Sequence, residues 1–491
     1  MELSRLEPRL LWSIFASICS VPHVSHDEAG LARFILERAR GRGIEASNDA
    51  AGNVVLRKPA TRGREGARGI VLQAHLDMVG QADGEAHDFR RDPIRPRPCS
   101  DDPDWLEATG TTLGADNGIG VAAALAFIES DSLVHGPLEC LFTVTEEDGM
   151  TGARAIGPGA LRGARLINLD CEDENEICIG CAGSMRIRAE MDLEDAAVAV
   201  PKDSAWLAVA IEGLLGGHSG ADIHLGRANA GLALAELLLK SGQGTAWRLA
   251  SLESGNAANA IPREARALVA VPSSARSEWT LRLENAAAEL RRRLGSADPG
   301  LKASVVEGKP APRALSSARS VSLLDWVSAL PNGLISMSAD MQGLVQSSCN
   351  LGILKLAAEP AFRLEALDLV RSSNDAEKEE IAARIEGICA KHGVSTKRLS
   401  SAQAWTPEPA SPLVALARGT YRDLFGREPV VTATHGGLEC GVFRPAFPDW
   451  EMLSIGPTIR FPHSPRERVH VPSVERFWRF LAALAERLGG D

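Results

Sequence analysis

The feature that most constrains this chain is an alternation of short apolar strands with helices, present towards both ends and lost in the middle. Residues 53–56, 69–73, 138–144 and 165–169 are brief apolar runs of strand type. Leu31, Phe34 and Ile35 mark one face of a helix ended by Gly41 and Gly43, and 118–128 is an Ala-rich helical stretch. Ser25 and Glu28 have the spacing of a capping box, which predicts that Ser25 starts the first of these helices. Strands alternating with helices predict an α/β sheet with parallel strands. From about Met185 to Ser401 the pattern loosens, and 373–391 reads as a charged surface helix. The first pattern then resumes, with a helix over 411–424 and strands near Val430–Thr434 and Glu451–Ser454. A final helix follows, which Ser473 is expected to cap; Val474, Phe477, Trp478, Leu481, Ala485 and Leu488 form its buried stripe. Residues 1–187 and 404–491 are therefore read as one discontinuous domain, an α/β unit with a mixed, largely parallel sheet flanked by helices. Residues 188–403 are read as an inserted α+β domain, and a length of 491 residues suits two or three domains.

Composition removes several classes of function. Lys and Arg number 53 against 64 Asp and Glu, a formal net charge of −11 with no basic block, so a nucleic-acid backbone would be repelled. No apolar run approaches the roughly 20 residues of a membrane span. The N-terminal stretch mixes both charges, and Leu10, Leu11, Phe15 and Ile18 have the spacing of an amphipathic helix rather than a signal peptide. Nine scattered cysteines are not a disulfide framework and point to a reducing cytoplasm. Cys178 and Cys181 lack a second pair with zinc-finger spacing and read as small buried thiols. The Gly-rich stretch around His218 lacks the Lys-Ser/Thr of a phosphate-binding loop.

Five spots concentrate His and acidic residues: His75-Leu-Asp77, Asp116-Asn-Gly118, Glu146-Glu147-Asp148, Asn168-Leu-Asp170 and Phe461-Pro-His463. All but the second follow a strand-like run or a short loop after one. Functional residues of α/β sheets gather at the carboxyl ends of strands, so these spots are expected to converge. Two His and several carboxylates without a Cys cluster favour Zn²⁺, Mn²⁺ or Co²⁺. Asp77 is placed to accept a hydrogen bond from the His75 ring and fix its tautomer. Glu146 and Glu147, as neighbours at a strand end, are expected to point in opposite directions, one to a metal and the other free as a base. His435, in a Gly-flanked turn, is a candidate for substrate contact.

The runs QAHLDMV, TGTTLGADNGIGVA, TVTEEDGMTGA, INLDCEDENEICIGCAG, GLLGGHSGADIHLGRANA, NAIPREA, HGGLECGVF and SIGPTIRFPHSP occur in this order between about residues 70 and 465. In them the chain resembles the M20 metallopeptidases, most closely the aminoacyl-histidine dipeptidase branch. The resemblance implies a site with two divalent metal ions, most readily Zn²⁺. His75 and Asp170 would bind one, Glu147 and His463 the other, and Asp116 would bridge. Asp77 would orient His75, and Glu146 would be the general base. His218 would reach the substrate or oxyanion, often from the neighbouring subunit of a homodimer, and Asn259 would contact the substrate. Gly436, Asp148 and Arg466 depart from the common pattern without removing a ligand. The resemblance makes 1–187 with 404–491 the catalytic domain and 188–403 an inserted lid or dimerisation domain, and the implied activity is hydrolysis of dipeptides, Xaa-His or a broader range. The rival readings are an N-acyl amino acid deacylase or other M20 amidohydrolase, and a non-catalytic metal-stabilised binding protein. The intact Glu146 and ligand set argue against the last.

Overall fold

The computed structural model describes residues 3–84, 87–359 and 361–490. The chain divides into two compact units: residues 1–180, 405–433 and 438–491 form the first, and 181–404 with 434–437 the second. The first crossing falls at Cys181, seven residues before the boundary read from the sequence, and the short 434–437 segment returns to the second unit.

The first unit is built on an eight-stranded sheet. Its strands are β1 (Glu45–Asn48), β2 (Val54–Lys58), β3 (Ile70–His75), β4 (Leu138–Thr143), β5 (Arg165–Asn168), β6 (Glu176–Cys181), β7 (Val430–Thr434) and β8 (Glu451–Ser454), in the spatial order β1-β2-β4-β3-β5-β8-β6-β7. The four central strands, β4-β3-β5-β8, run parallel, while β1, β2 and β6 pair antiparallel at the flanks. β3 is buried along its whole length, as a parallel strand covered on both faces must be. Helix α1 (Arg9–Cys19) packs on α3 (Ala115–Glu129), which lies against β3. Helix α3 is apolar on nearly every face and correspondingly buried. Helices α2 (Ala29–Arg40), α4 (Thr151–Ala155), α5 (Pro412–Phe425), α6 (Glu439–Phe443) and α7 (Val471–Leu488) complete the unit. Along α7, Val474, Phe477, Leu481, Ala485 and Leu488 are buried, at about 1.5–3 kcal/mol for each large side chain removed from water.

Two helix starts differ from the expectation. Glu28, not Ser25, occupies the N-cap of α2, and the Ser25 hydroxyl donates instead to Asp77 Oδ2 at 2.7 Å. Glu28 Oε1 accepts from the backbone N–H of His26 and from both the N–H and the hydroxyl of Thr145, so tertiary donors claim the groups that a capping box would use. Helix α7 begins after His470, with Pro472 in its first turn. Ser473 lies inside that turn, buried; its hydroxyl donates to the His470 carbonyl at 2.6 Å and accepts the Thr458 N–H at 2.9 Å.

The second unit is a nine-stranded antiparallel sheet. Its strands Arg248–Ser254, Val345–Ala357, Arg363–Ser372 and Gly183–Asp192 lie side by side in that order. The core of the sheet packs against helices Ala230–Ser241, Arg276–Leu294, Ser317–Ala329 and Asp375–Lys391 through Leu234, Leu238, Trp279, Trp326 and Ile385. Helices gathered on an antiparallel sheet make this unit α+β. Among the described residues no helix is long and apolar enough to cross a membrane.

Candidate metal centre

The carboxyl ends of β3, β4 and β5 and the loop after the short strand Ile459–Arg460 carry the first unit's cluster of imidazoles and carboxylates. His75 is the last residue of β3, and its ring Nδ1 lies 2.9 Å from the main-chain carbonyl of Asp77. The Asp77 carboxylate is farther from that nitrogen, at 3.5 Å, so the carbonyl rather than the carboxylate sets the tautomer. With the Nδ1 proton donated there, a neutral His75 turns the lone pair of Nε2 towards Asp116 Oδ1 at 3.2 Å and Asp170 Oδ1 at 3.3 Å. His463 repeats this arrangement, its Nε2 facing Asp116 Oδ2 at 3.2 Å and Glu147 Oε1 at 2.8 Å. One nitrogen facing two carboxylate oxygens has at most one proton to offer them. A cation shared by all three would satisfy the whole set.

Asp116 is central because each of its oxygens faces a different imidazole. It sits at the start of α3, where its φ and ψ are non-helical and its peptide bond to Asn117 is cis. Asn117 donates to the Leu169 carbonyl at 3.1 Å and also to Asp170 Oδ1. The ligand atoms form three overlapping groups, each within 4.8 Å: His75 with Asp116 and Asp170, Asp116 with Glu147 and His463, and His75 with Glu146 and Glu147.

Glu146 and Glu147 are not strand residues. Thr145 takes a positive φ of 57°, and both glutamates lie in the turn that follows β4. The Asp77 carboxylate holds that turn, accepting the Glu146 N–H on Oδ1 at 2.9 Å and the Glu147 N–H on Oδ2 at 3.2 Å. His463 has a positive φ of 58° and Phe461 one of 56°, so three non-glycine residues occupy the left-handed region beside the cluster.

The electrostatics are those of crowded carboxylates around two imidazoles. Hydrogen bonds to Asp116 and then Glu147 raise His463 to about 11. Burial would lower His75, but the charge of Asp170 and the bonds to Asp116 and Asp170 outweigh it and lift the ring well above its ordinary value. Burial raises Glu146, Glu147 and Asp170. Asp77 is held down at about 2, the His75 ring and the Ser25 hydroxyl overcoming the effect of its burial.

Several contributors are invisible in the sequence. Glu467 accepts four backbone N–H groups, from Leu113, Gly114, Ala115 and Asp116, at 2.8–3.1 Å, and so holds the loop that presents Asp116. Burial pushes its carboxyl up to about 7. Glu439 lies buried under the strands and is pushed up by burial to about 8. Asp148 bonds to the His26 ring at 2.8 Å, and Arg466 stacks over Phe461, so two of the three unusual residues make local contacts.

The second unit holds the other sequence candidates. His218 Nδ1 accepts the N–H groups of Gly220 and Ala221 at 3.3 and 3.1 Å, which leaves the ring proton on Nε2. Asn259 is exposed, and its carbonyl accepts the Ser219 N–H at 2.8 Å. His435 Nε2 lies 2.7 Å from Ser348 Oγ, and burial followed by the charge of Arg371 holds this ring neutral, at about 3. Arg371, on the strand Arg363–Ser372, is buried with no partner on Nε, and burial lowers its guanidinium to about 10. A buried guanidinium with an unused donor is suited to a carboxylate. A single Arg inside an apolar strand gave no signal in the sequence.

Imidazoles and carboxylates converging at the ends of parallel strands make a candidate metal centre. Comparison with known proteins identifies the class. The profile of peptidase family M20/M25/M40 matches residues 71–487, and the chain belongs to that family. The cytosol non-specific dipeptidase of Escherichia coli is 40% identical over 495 residues, spanning 99% of each protein. The crystal structure of aminoacylhistidine dipeptidase from Vibrio alginolyticus matches with a TM-score of 0.87 at 36% identity, covering 99% of this chain and 98% of that one. Aminopeptidase PepT from Bacillus cereus, at 14% identity with 98% and 99% coverage and a TM-score of 0.61, shares the fold.

Proposed function

We propose that this protein is a dipeptidase that holds two divalent cations per chain and cleaves Xaa-His dipeptides within a broader dipeptide range. The observation that carries this reading is the Asp116 carboxylate, whose two oxygens face two imidazoles, each of which faces a further carboxylate of its own. His75 and Asp170 would hold one ion and Glu147 and His463 the other, with Asp116 available to both. Zn²⁺ fits this donor set, with Mn²⁺ and Co²⁺ as alternatives. Bound there, the ions would supply Lewis acidity towards water and the scissile carbonyl. Glu146, its backbone fixed by Asp77, takes a proton from the attacking water and returns it to the leaving amine. The dipeptidase names of two relatives spanning nearly the whole chain support a dipeptide substrate. The cytosolic relative, with nine buried cysteines here and no disulfide among them, supports a cytoplasmic enzyme.

The test is a panel of dipeptides, Xaa-His included, beside N-acyl amino acids, with metal-free protein reconstituted with Zn²⁺, Mn²⁺ or Co²⁺. Dipeptides are expected to be cleaved and the N-acyl compounds spared, with reversible loss of activity on chelation. Preferential cleavage of N-acyl amino acids would favour the amidohydrolase reading. No turnover with any metal would favour a binding protein.

His218 carries a separate expectation. His218 ends the short strand Gly217–His218 and is exposed; its Nε2–H is a donor suited to an oxyanion, and we assign it to the site of the partner in a homodimer. His218→Ala is expected to lower kcat about 100-fold, the scale of one lost oxyanion donor, with metal content unchanged. Mixing His218→Ala subunits with Glu146→Gln subunits is expected to restore part of the activity, because one site of the mixed dimer keeps both residues. Absence of rescue in subunits shown to exchange would place His218 in its own chain's site or in none. Asn259 and His435 are assigned weaker substrate contacts.

A further inference from the structure

Beneath the metal centre, one residue layer down the strands, lies a line of buried polar side chains that the proposed chemistry does not use. Ser454 Oγ on β8 donates to Asn168 Oδ1 on β5 at 2.5 Å. Asn168 Nδ2 donates to Gln73 Oε1 on β3 at 2.6 Å. Gln73 Nε2 donates to Glu439 Oε2 at 2.5 Å, and Thr143 Oγ1, at the end of β4, donates to the same oxygen at 2.7 Å. Ser454, Asn168, Gln73, Thr143 and Glu439 have no measurable solvent exposure. The backbone register places Asn168 opposite both Gln73 and Ser454.

The placement relative to the site is regular. Gln73 precedes His75 by two residues on β3, so the two share a strand face, and Asn168 is the last residue of β5, two residues before Asp170. Thr143 ends the strand that leads into the Glu146–Glu147 turn. The ladder therefore ties together the three strands whose ends present the site, and Glu439 closes it from α6 by accepting two donors on one oxygen. Gln73 and Asn168 are fully engaged within the ladder, and Glu439 is its terminal acceptor. Removing Glu439 would take the shared acceptor from two buried donors and leave them only longer contacts, Gln73 Nε2 to Thr143 Oγ1 at 3.2 Å and Thr143 Oγ1 to the Ala74 carbonyl at 3.4 Å.

On the reading that these ligands hold metal, we propose that Glu439 is a positioning residue: through Gln73 and Thr143 it fixes the mutual placement of the three ligand-bearing strand ends and so sets the affinity of the centre for its ions. Groups that orient metal ligands from behind typically change metal affinity by about 10–100-fold when removed.

The experiment measures Zn²⁺ affinity of the full chain by competition with a chromophoric chelator, at a temperature far below the unfolding midpoint of every variant. Glu439→Ala is expected to bind Zn²⁺ about 10–100-fold more weakly. Glu439→Gln keeps an acceptor for Gln73 and Thr143 and is expected to stay within a few-fold of wild type. Thr143→Val removes the donor to Glu439 and an acceptor of Gln73 with almost no change of shape and is expected to weaken binding several-fold, which keeps the test open should Glu439→Ala not fold. Leu481→Ala, a core truncation on α7, is expected to lower the unfolding midpoint and leave Zn²⁺ affinity unchanged. Wild-type affinity in both Glu439→Ala and Thr143→Val would overturn the proposal, as would a Glu439→Gln variant as weak as the alanine, or equal weakening by Leu481→Ala. A wild-type chain that takes up no Zn²⁺ would overturn the metal reading itself, and this inference with it.

Discussion

Glu146→Gln is expected to keep near-normal metal content and to lose about 10²–10⁴ in kcat, the range for removal of a general base. The amide has the shape of the carboxylate, and the two hydrogen bonds that hold this turn run from the backbone N–H groups of Glu146 and Glu147 to Asp77, so the turn survives the change. What is lost is the capacity to take a proton. Burial raises the Glu146 carboxyl well above its ordinary value in the metal-free chain, a direction that cations at the centre would oppose. Elemental analysis beside steady-state kinetics checks the expectation. Activity that survives would deny Glu146 the role of base; activity that falls only in proportion to lost metal would make it a ligand instead, a role its reach to His75 and Glu147 allows geometrically.

The elements that sequence periodicity located are those whose stability is local or set by apolar patterning. The runs behind β3, β4, β5 and β8 and helices α3, α5 and α7 announce themselves by apolar character, and the acidic and His residues at their ends follow from the sheet's geometry. Other errors have a common cause: a polar side chain carries no label for its partner. Ser25 and Glu28 have the spacing of a cap, yet their partners are Asp77 and Thr145, 52 and 117 residues away. Ser473 likewise bonds to Thr458 rather than starting its helix. Asp77 was legible as a neighbour of His75, but its carboxylate holds the Glu146–Glu147 turn, while its carbonyl takes the ring N–H. That turn was misread because nothing in Val-Thr-Glu-Glu marks Thr145 for a positive φ. Glu439 and Glu467 lie more than 350 residues from the segments they hold, Gln73 in one case and Leu113 to Asp116 in the other, a separation at which spacing carries no information.

Asp116→Ala should have the widest effect on the metals of any single ligand change. The two halves of the cluster meet only at this carboxylate: Oδ1 faces His75, which also faces Asp170, and Oδ2 faces His463, which also faces Glu147. Removing it withdraws one donor from each half and the negative charge that would separate the two proposed cations. The loop would persist, because Glu467 binds the backbone of Leu113 to Asp116 and not the lost side chain. The variant is therefore expected to fold, to retain well under two ions per chain after reconstitution, and to have almost no dipeptidase activity. His463→Ala provides the contrast. It removes a donor from one half alone, and that residue is about half exposed, so one ion should weaken while the other persists. Elemental analysis of both variants against wild type separates the outcomes. A two-ion complement in Asp116→Ala would deny the bridge, and equal loss of both ions in His463→Ala would mean that the centre fills only as a unit.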